Sequence, residues 1–322
     1  AAASLMAAAA ADAGVWAVAE QTPAFASLPD AAKMEVNATR LWSEPFPGCR
    51  GGDDVSRCET DWDALAVSLR THHGAAAATV GLGLVRDAVG SLGELVRQPH
   101  IRCELLLAAG QSLVSPDKCG ASRLPERSGA NGAVTFEGAG LSSAGQWKQV
   151  VLARDGVFRH SGEAAAPAAS AAIAAALAGG SLLPPLGSVE VSVLEPGAAI
   201  RPHCGPTPTR WRIHVPLLVP AAPSDREQAR LIMPGQVLRW RRGHPVVIDD
   251  SFWHSVNASA MDPSQGPRVV LLVDVWHPAL AAASDGAKQA VVAQLGARGT
   301  AETRAPHLPD TLRRGGGKRS AL

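Results

Sequence analysis

The chain has 322 residues, of which 46% are hydrophobic, and its formal net charge is +1. This length is sufficient for one large domain or two modest ones with a substantial core. A nearly neutral chain gives no electrostatic indication of a nucleic-acid partner. Asp12 and Glu20 interrupt the Ala-rich start well before the ~20 apolar residues that a bilayer span requires. We therefore predict no nucleic-acid partner and no membrane span in this sequence; a targeting or anchoring segment would lie before Ala1.

The cysteine and glycosylation patterns leave the compartment open between a secretory lumen and the cytoplasm. The five cysteines are an odd number, so they cannot all pair with one another. Cys49 and Cys58 flank a Gly-Gly-Asp-Asp turn, but this spacing establishes neither a disulfide nor a zinc site. Asn37-Ala38-Thr39 and Asn257-Ala258-Ser259 match the glycosylation acceptor pattern, which is frequent by chance.

Residues 1–130 are predicted to form a mainly helical region and a linker, without an indication of their role. Thr60-Asp61 is typical of a helix N-cap and precedes the apolar residues Trp62, Leu65 and Leu69. Apolar residues recur at helical spacing over 80–95 and 101–113. Proline, serine, glycine and charged residues over 115–132 indicate the linker.

Short strands separated by turn residues follow the linker and predict a β-domain over residues 131–285. Strand-like runs cover 146–152, 189–194, 211–219, 231–233, 237–240, 246–248 and 269–275, and an Ala-rich helix is predicted over 164–178. Several short β-branched strands at this spacing favour an antiparallel barrel or jelly roll. The predicted class is α+β, a jelly-roll domain preceded by a mainly helical region. Residues 286–322 are predicted to form a C-terminal helix and a disordered basic tail.

Two histidines and one arginine are the candidate site residues of this β-domain. His203 is predicted to project from one strand end and His254 from another, and Arg268 opens the apolar run 269–273. Neutral imidazoles from different strands are the usual nitrogen ligands of a catalytic first-row metal. An arginine on a neighbouring strand can hold a carboxylate through two parallel hydrogen bonds. The combination indicates a non-haem iron oxygenase with an organic diacid as co-substrate.

Acidic residues near these histidines leave the ligand set open. Asp249 and Asp250 are competing ligands, although we favour a role in turn formation and in hydrogen bonds that orient His254. The position two after His203 is Gly205, where many iron oxygenases carry Asp or Glu. A site with two histidines alone leaves more coordination positions for water and co-substrate, but it lacks a carboxylate that would help to retain iron.

Residues from about 147 to 280 resemble the catalytic domain of the aspartyl/asparaginyl β-hydroxylases, which are Fe(II)- and 2-oxoglutarate-dependent dioxygenases. The order and spacing of six separate pieces carry this resemblance: Pro196-Gly197, His203-Cys204-Gly205-Pro206-Thr207, Arg212-Ile213-His214, the run from Asp249 to His254, Arg268, and the run from Asp274 to Pro278. The resemblance accounts for Gly205, because this family lacks the usual acidic ligand.

The resemblance implies a role for each matching residue. It implies that His203 and His254 hold Fe(II), with 2-oxoglutarate and O2 as co-substrates. Ser192 and Arg268 match the residues that bind the distal carboxylate of 2-oxoglutarate. Arg212 and His214 match those that bind the carboxylate next to the keto group. His277 and Asp274 are interpreted as structural residues rather than ligands.

The resemblance also implies β-hydroxylation of Asp or Asn side chains in a polypeptide substrate, with a small-molecule substrate as an alternative. Departures from the family pattern, at Cys204, Pro208-Thr209 and Val215-Pro216-Leu217, lie near the predicted pocket and bear on which substrate is accepted. Two other functions are weighed against the dioxygenase. One is a cupin-type metal hydrolase that uses the same two histidines; the other is an inactive barrel that binds a peptide.

Overall fold

Two antiparallel β-sheets packed face to face, with helices covering the outer face of the larger sheet, form the architecture of this protein. The computed structural model describes residues 60–111, 135–137, 142–178, 181–203, 205, 209–220, 228–233, 236–250 and 254–299. This arrangement is a jelly roll, also called a double-stranded β-helix, that follows a helical region. The predicted fold class is therefore confirmed.

The helices before the barrel begin close to their predicted positions. They are α1 (Trp62–His73), a π-helical turn (Ala77–Gly81), α2 (Leu82–Arg97) and α3 (Pro99–Ala108). The Asp61 carboxylate caps α1 by accepting a hydrogen bond from the backbone N–H of Ala64 at 3.1 Å. Cys103 on α3 is disulfide-bonded, whereas the other four cysteines lie outside the described residues. Among the described helices, none is long and apolar enough to cross a membrane.

Twelve strands make up the described parts of the two sheets. They are β1 (Thr135–Glu137), β2 (Ser142–Ala144), β3 (Trp147–Arg154), β4 (Val157–Phe158), β5 (Val189–Leu194), β6 (Ala199–His203), β7 (Arg210–Leu218), β8 (Arg230–Met233), β9 (Gln236–Arg239), β10 (Val246–Ile248), β11 (His254–Asn257) and β12 (Arg268–Trp276). The larger sheet has the order β1-β3-β5-β12-β7-β10, with β4 paired to β3. The smaller sheet has the order β2-β6-β11-β8-β9.

The helix predicted over 164–178 is wrong as a single element, because two helices meet there. They are α4 (His160–Ala165) and α5 (Pro167–Ala176). Pro167 has no N–H and restricts the residue before it, so Ala166 takes the non-helical angles φ −147° and ψ 66°. Two further helices follow the last strand, α6 (Pro278–Ala281) and α7 (Asp285–Gly299).

Strand alternation gives the larger sheet two buried faces. On β5, Val191 and Val193 pack into the core shared with the helices, and Leu194 packs into the core between the two sheets. Every residue of β12 is buried for the same reason. Alternation alone left open which face of β5 is the pocket; Ser192 lies on the face of Leu194, toward the smaller sheet.

Gly81 lies where the helical region meets the end of the barrel, and its substitution should weaken that contact. A Cβ at Gly81 would overlap the carbonyl group of Pro278, the first residue of α6. We expect Gly81→Ala to lower the free energy of unfolding by about 1–3 kcal/mol, because backbone must move to admit one methyl group. Nothing lies within 4 Å of a Cβ at Gly83, so Gly83→Ala is the matched control. It should be neutral or stabilising by up to about 1 kcal/mol. Urea unfolding that gives both variants the same stability would contradict this account.

Candidate active site

The two histidines predicted to bind metal lie side by side on neighbouring strands. His203 is the last residue of β6, His254 is the first residue of β11, and the two are direct cross-strand partners. Their ring centres are 4.2 Å apart and the ring planes are inclined by 52°. Two imidazoles at this separation can reach a single ion.

The protonation of His203 suits a metal ligand. Its Nδ1 lies 2.8 Å from the carbonyl oxygen of Arg201. A carbonyl can only accept, so Nδ1 carries the proton and Nε2 keeps its lone pair for a ligand bond. Burial, and then the neighbouring His254, lower the pKa of His203 to about 3. The ring is therefore neutral at physiological pH, as a metal ligand must be.

The Asp250 carboxylate occupies the space that a side chain at position 205 would enter. A Cβ at Gly205 would lie 2.6 Å from Oδ2 of Asp250 and closer still to Oδ1. The backbone N–H of Gly205 also donates to the Asp250 carbonyl at 2.5 Å. Asp250 Oδ1 is buried and accepts no hydrogen bond from the described residues. A carboxylate is thus present close to His203. It belongs to Asp250, whereas in many iron oxygenases the acidic residue lies two positions after the first histidine.

Two arginines and two aspartates form a buried network of charges beside the histidines. Asp274 Oδ2 accepts hydrogen bonds from Arg210 Nη1 at 2.5 Å, Arg212 Nη2 at 3.0 Å and Ser188 N at 2.8 Å, while its Oδ1 accepts from Arg212 Nε at 2.7 Å. Asp250 Oδ2 accepts from Arg210 Nη2 at 2.9 Å and lies 3.5 Å from Arg212 Nε. Two positive and two negative charges therefore balance within one buried cluster.

The pKa values of Asp250 and Arg212 indicate that these two groups stay charged. Burial favours the neutral form of Asp250, but Arg210 and Arg212 outweigh it and hold the pKa of that carboxyl below its usual range. Burial likewise opposes the charge of Arg212, but Asp274 and Asp250 raise its pKa above the usual range. Since Asp274 takes Nε and Nη2 of Arg212, Nη1 is the guanidinium nitrogen that makes no hydrogen bond within the described residues.

Arg268 and Ser192 lie close together on the pocket face of the larger sheet. Arg268 opposes Leu194 on β5, and Val270 opposes Ser192, so the two polar residues are diagonal neighbours on one face. Arg268 is only 2% exposed. Ser192 Oγ accepts a hydrogen bond from Trp147 Nε1 at 3.0 Å, which leaves the hydroxyl hydrogen available to donate elsewhere.

His214 lies on the same side of β7 as Arg212, two residues along the strand. Burial, then Arg212 and Arg268, lower the pKa of His214 well below its usual value, so the imidazole is neutral. Its Nδ1 accepts a hydrogen bond from Trp240 Nε1 at 3.1 Å. The structure thus brings all six predicted site residues to the inner faces of the two sheets or to adjacent strand ends.

Sequence reasoning missed several polar and aromatic residues of this pocket. Arg210 and Glu190 could have been found, because each has the same strand parity as a predicted site residue two positions away. Glu190 is 7% exposed and accepts a hydrogen bond from Gln149 at 2.7 Å. Trp147 and Trp240 gave no such signal, since their partners come from distant parts of the chain.

The interpretation of His277 and Asp274 as structural residues can be compared with their contacts in the structure. His277 is structural, as predicted: its Nδ1 accepts from the backbone N–H of Ala279 at 3.2 Å and caps α6. Its ring centre lies 4.8 Å from that of His73 at the end of α1. Asp274 forms hydrogen bonds to arginines, which agrees with its interpretation as a structural residue. Cys204 and residues 206–208 and 251–253, which contributed to the predicted motifs, lie outside the described residues.

One jelly roll here contains two adjacent imidazoles, a buried arginine and a network of charges. Sites of this class are found in metal-dependent barrels. Residues 121–278 match the family described as Aspartyl/Asparaginyl beta-hydroxylase, and this region carries the resemblance of the chain to that family. The predicted resemblance to this family is therefore confirmed.

Curated relatives share part of this region. "Aspartate beta-hydroxylase domain-containing protein 1" of Mus musculus is 42% identical over 97 residues, which are 30% of this chain and 25% of that protein. "Aspartate beta-hydroxylase domain-containing protein 2" of Xenopus tropicalis is 37% identical over 107 residues, or 33% and 27% of the two chains. "Aspartyl/asparaginyl beta-hydroxylase" of Mus musculus is 34% identical over 96 residues, or 29% and 12%. The chain spans about a quarter or less of the length of these relatives.

Solved structures resemble the chain only distantly. A prolyl-4-hydroxylase from Pseudomonas putida has a TM-score of 0.32 at 14% identity and covers 57% of this chain and 98% of that chain. A cupin-like protein from Thermotoga maritima has a TM-score of 0.27 at 16% identity and covers 44% and 76%. The fold is therefore assigned from strand order and register rather than from these scores.

Proposed function

We propose that this chain is an Fe(II)- and 2-oxoglutarate-dependent dioxygenase that β-hydroxylates Asp or Asn side chains of a polypeptide. Buried Arg268 carries the proposal. Burial lowers its pKa to about 9, so the guanidinium stays charged at neutral pH. Among the described residues no carboxylate pairs with it, and its buried Nε has no hydrogen-bond acceptor. An uncompensated buried charge is strongly unfavourable, which supports an anionic ligand at this position.

The residues present fit Fe(II) as well as a diacid. Imidazole is a good ligand for iron, and His203 and His254 are close enough to share one ion. Within the ranges that the structure describes, no cluster of three or more His, Cys, Asp or Glu forms a fuller metal site. Two protein ligands would leave positions for a chelating keto acid, for oxygen and for water. The free Asp250 Oδ1 near Gly205 supplies a negative charge that helps to retain the ion.

The proposed role of each side chain follows from its position in the pocket. Arg268 and the Ser192 hydroxyl would hold the distal carboxylate of 2-oxoglutarate, because they are diagonal neighbours on one face. Arg212 Nη1 and neutral His214 would hold the carboxylate next to the keto group. Bound iron would supply oxygen activation, coupled to decarboxylation of the keto acid. Overall, a substrate C–H bond, 2-oxoglutarate and O2 yield a C–OH group, succinate and CO2.

The substrate class is proposed from the family alone. Members are described as aspartyl/asparaginyl β-hydroxylases, which supports a polypeptide substrate with an Asp or Asn side chain. A free amino acid or another small molecule is the alternative class.

The direct test is succinate production from 2-oxoglutarate after air is admitted to anaerobic Fe(II)-loaded protein. We expect His254→Ala to lower iron binding and succinate production by at least about 100-fold, because one imidazole cannot retain the ion as two do. Exposed His160, at the start of α4, is the matched control, and His160→Ala should behave like the wild type. Metal-dependent turnover without 2-oxoglutarate would favour the hydrolase. Partner binding by metal-free protein that makes no succinate would favour the binding module.

A further inference from the structure

Trp240 contacts both of the side chains that would anchor the two ends of the co-substrate. It follows β9, is 3% exposed, and belongs to the core between the two sheets. We propose that Trp240 is a positioning residue: its edge sets the tautomer of His214, its face holds Arg268, and together they select the length of the diacid. This inference rests on the proposed function, since it concerns the same co-substrate.

The edge of Trp240 decides which nitrogen of His214 carries the proton. The two rings lie in nearly parallel planes, 4° apart, with centres 5.9 Å from each other. Indole Nε1–H can only donate, so His214 Nδ1, at 3.1 Å, is the acceptor. The proton of the neutral imidazole must then reside on Nε2. His214 is therefore set up as a neutral Nε2–H donor, the form that binds a carboxylate without a change of charge.

The face of Trp240 holds the Arg268 guanidinium. The guanidinium carbon lies 4.4 Å from the ring centre, well within the range of a cation–π interaction. In a desolvated position this attraction is stronger than at an exposed site, and it keeps the flat guanidinium against a rigid surface. Burial opposes the Arg268 charge, and this cation–π contact is the favourable interaction that the described residues offer it.

One rigid side chain therefore fixes the relative position of both anchors. Arg268 lies close enough to His214 to contribute to the lowering of its pKa, so the two anchors share one small pocket. An indole has two side-chain torsions and is held here at its edge and on its face, so neither anchor can shift independently. A diacid with one more or one fewer methylene than 2-oxoglutarate would misplace one carboxylate.

The test compares Trp240→Phe, which keeps an aromatic face but removes the N–H, with Trp240→Leu, which removes both. Trp211→Phe is the matched control. Trp211 is also buried, but its side chain lies on the face of β7 that points away from the pocket, in the core shared with the helices. The His214 tautomer is measured by long-range proton–nitrogen NMR. Binding of 2-oxoglutarate and of the longer 2-oxoadipate is measured anaerobically on Mn(II)-loaded protein, and the KM and kcat for succinate release on Fe(II)-loaded protein.

We expect Trp240→Phe to convert His214 from the Nε2–H form to a mixture of tautomers and to weaken 2-oxoglutarate binding about tenfold. The KM of this variant for 2-oxoglutarate should rise by a similar factor. Its kcat at saturation should change less than about threefold, because the lost contact affects binding rather than the chemical step. Trp240→Leu should weaken binding about 100-fold and lower the preference for 2-oxoglutarate over 2-oxoadipate about tenfold. Trp211→Phe should show none of these changes.

The outcomes separate this inference from the proposed function. Wild-type tautomer, affinity and diacid preference in both Trp240 variants would overturn the positioning role and leave succinate production by the wild type intact. Suppose that the wild type binds 2-oxoglutarate more tightly than both Trp240 variants but releases no succinate in air. That result would support the positioning role and contradict the dioxygenase. A wild type that binds neither diacid would overturn both.

Discussion

Arg268→Met is expected to lower the affinity for 2-oxoglutarate by at least about 100-fold and, without co-substrate, to raise the free energy of unfolding by about 1–3 kcal/mol. The two expected effects have opposite signs because Arg268 is a buried cation whose proposed counter-ion is the ligand. Loss of a charge-assisted, bidentate contact removes the distal anchor of the diacid. The unliganded protein, in turn, no longer has to bury a charge that has no carboxylate partner within the described residues.

Isothermal titration of 2-oxoglutarate into Mn(II)-loaded protein and urea unfolding of metal-free protein measure these two quantities. Arg159→Met is the matched control, because the Arg159 side chain is 46% exposed and pairs with Asp155 at 2.8 Å. An exposed pair contributes about 0–1 kcal/mol, so this variant should bind 2-oxoglutarate normally and change stability little. Unchanged affinity in Arg268→Met would remove the main support for a diacid co-substrate. Reduced stability would show that Arg268 has a structural partner.

The proposed metal and co-substrate residues could be predicted from sequence because residue type and position along each strand are local features. His203 and His254 each stand at a strand end, and Arg268 opens an apolar run, so residue type and position together pointed to them. Alternation placed Ser192 opposite Val191 and Val193. The face that became the pocket depended on where the helices packed, and no local pattern in β5 carries that information.

Contacts between distant segments were the part that the sequence could not specify. Arg212 meets Asp274 because β7 and β12 pair in the register that places their Cα atoms opposite each other, 62 residues apart in sequence. Trp240 follows β9 of the smaller sheet and reaches His214 and Arg268 of the larger sheet because the two sheets pack face to face. A shift of one residue in the pairing would send each side chain to the opposite face. The break at Pro167 is different: its signal was local, and the Ala-rich composition around it was given too much weight.

The helical region shows the same division between local pattern and tertiary contact. The apolar stripe of α2, which includes Val85, Val89 and Leu92, was evident as helical periodicity. Its partner was not, and the structure places these residues in one core with Ile213 and Val215 of β7. The helices therefore cover the outer face of the strand that carries Arg212 and His214 on its inner face. We infer that this region stabilises the site from behind rather than forming a separate module.

Asp274→Asn is expected to lower the free energy of unfolding by about 3–5 kcal/mol, the largest stability effect among these predictions. Asp274 is fully buried and accepts hydrogen bonds from Arg210, Arg212 and Ser188. An amide has nearly the same shape as the carboxylate, so the substitution leaves little cavity. It does leave two buried guanidinium groups facing the single charge of Asp250, and it turns an NH2 group toward donors that require an acceptor.

Asp155→Asn supplies the comparison, because Asp155 makes one equally short contact to an arginine, at 2.8 Å, but is 64% exposed. Water solvates both partners of that pair, so its loss should cost no more than about 1 kcal/mol. The difference between the two variants in free energy of unfolding, measured with urea, therefore reports how much burial adds to the cost of losing an aspartate–arginine pair. Similar losses in both would mean that the four charges do not act as one balanced cluster. A large loss for Asp274→Asn alone would establish that the buried network around Arg212 depends on keeping its positive and negative charges equal.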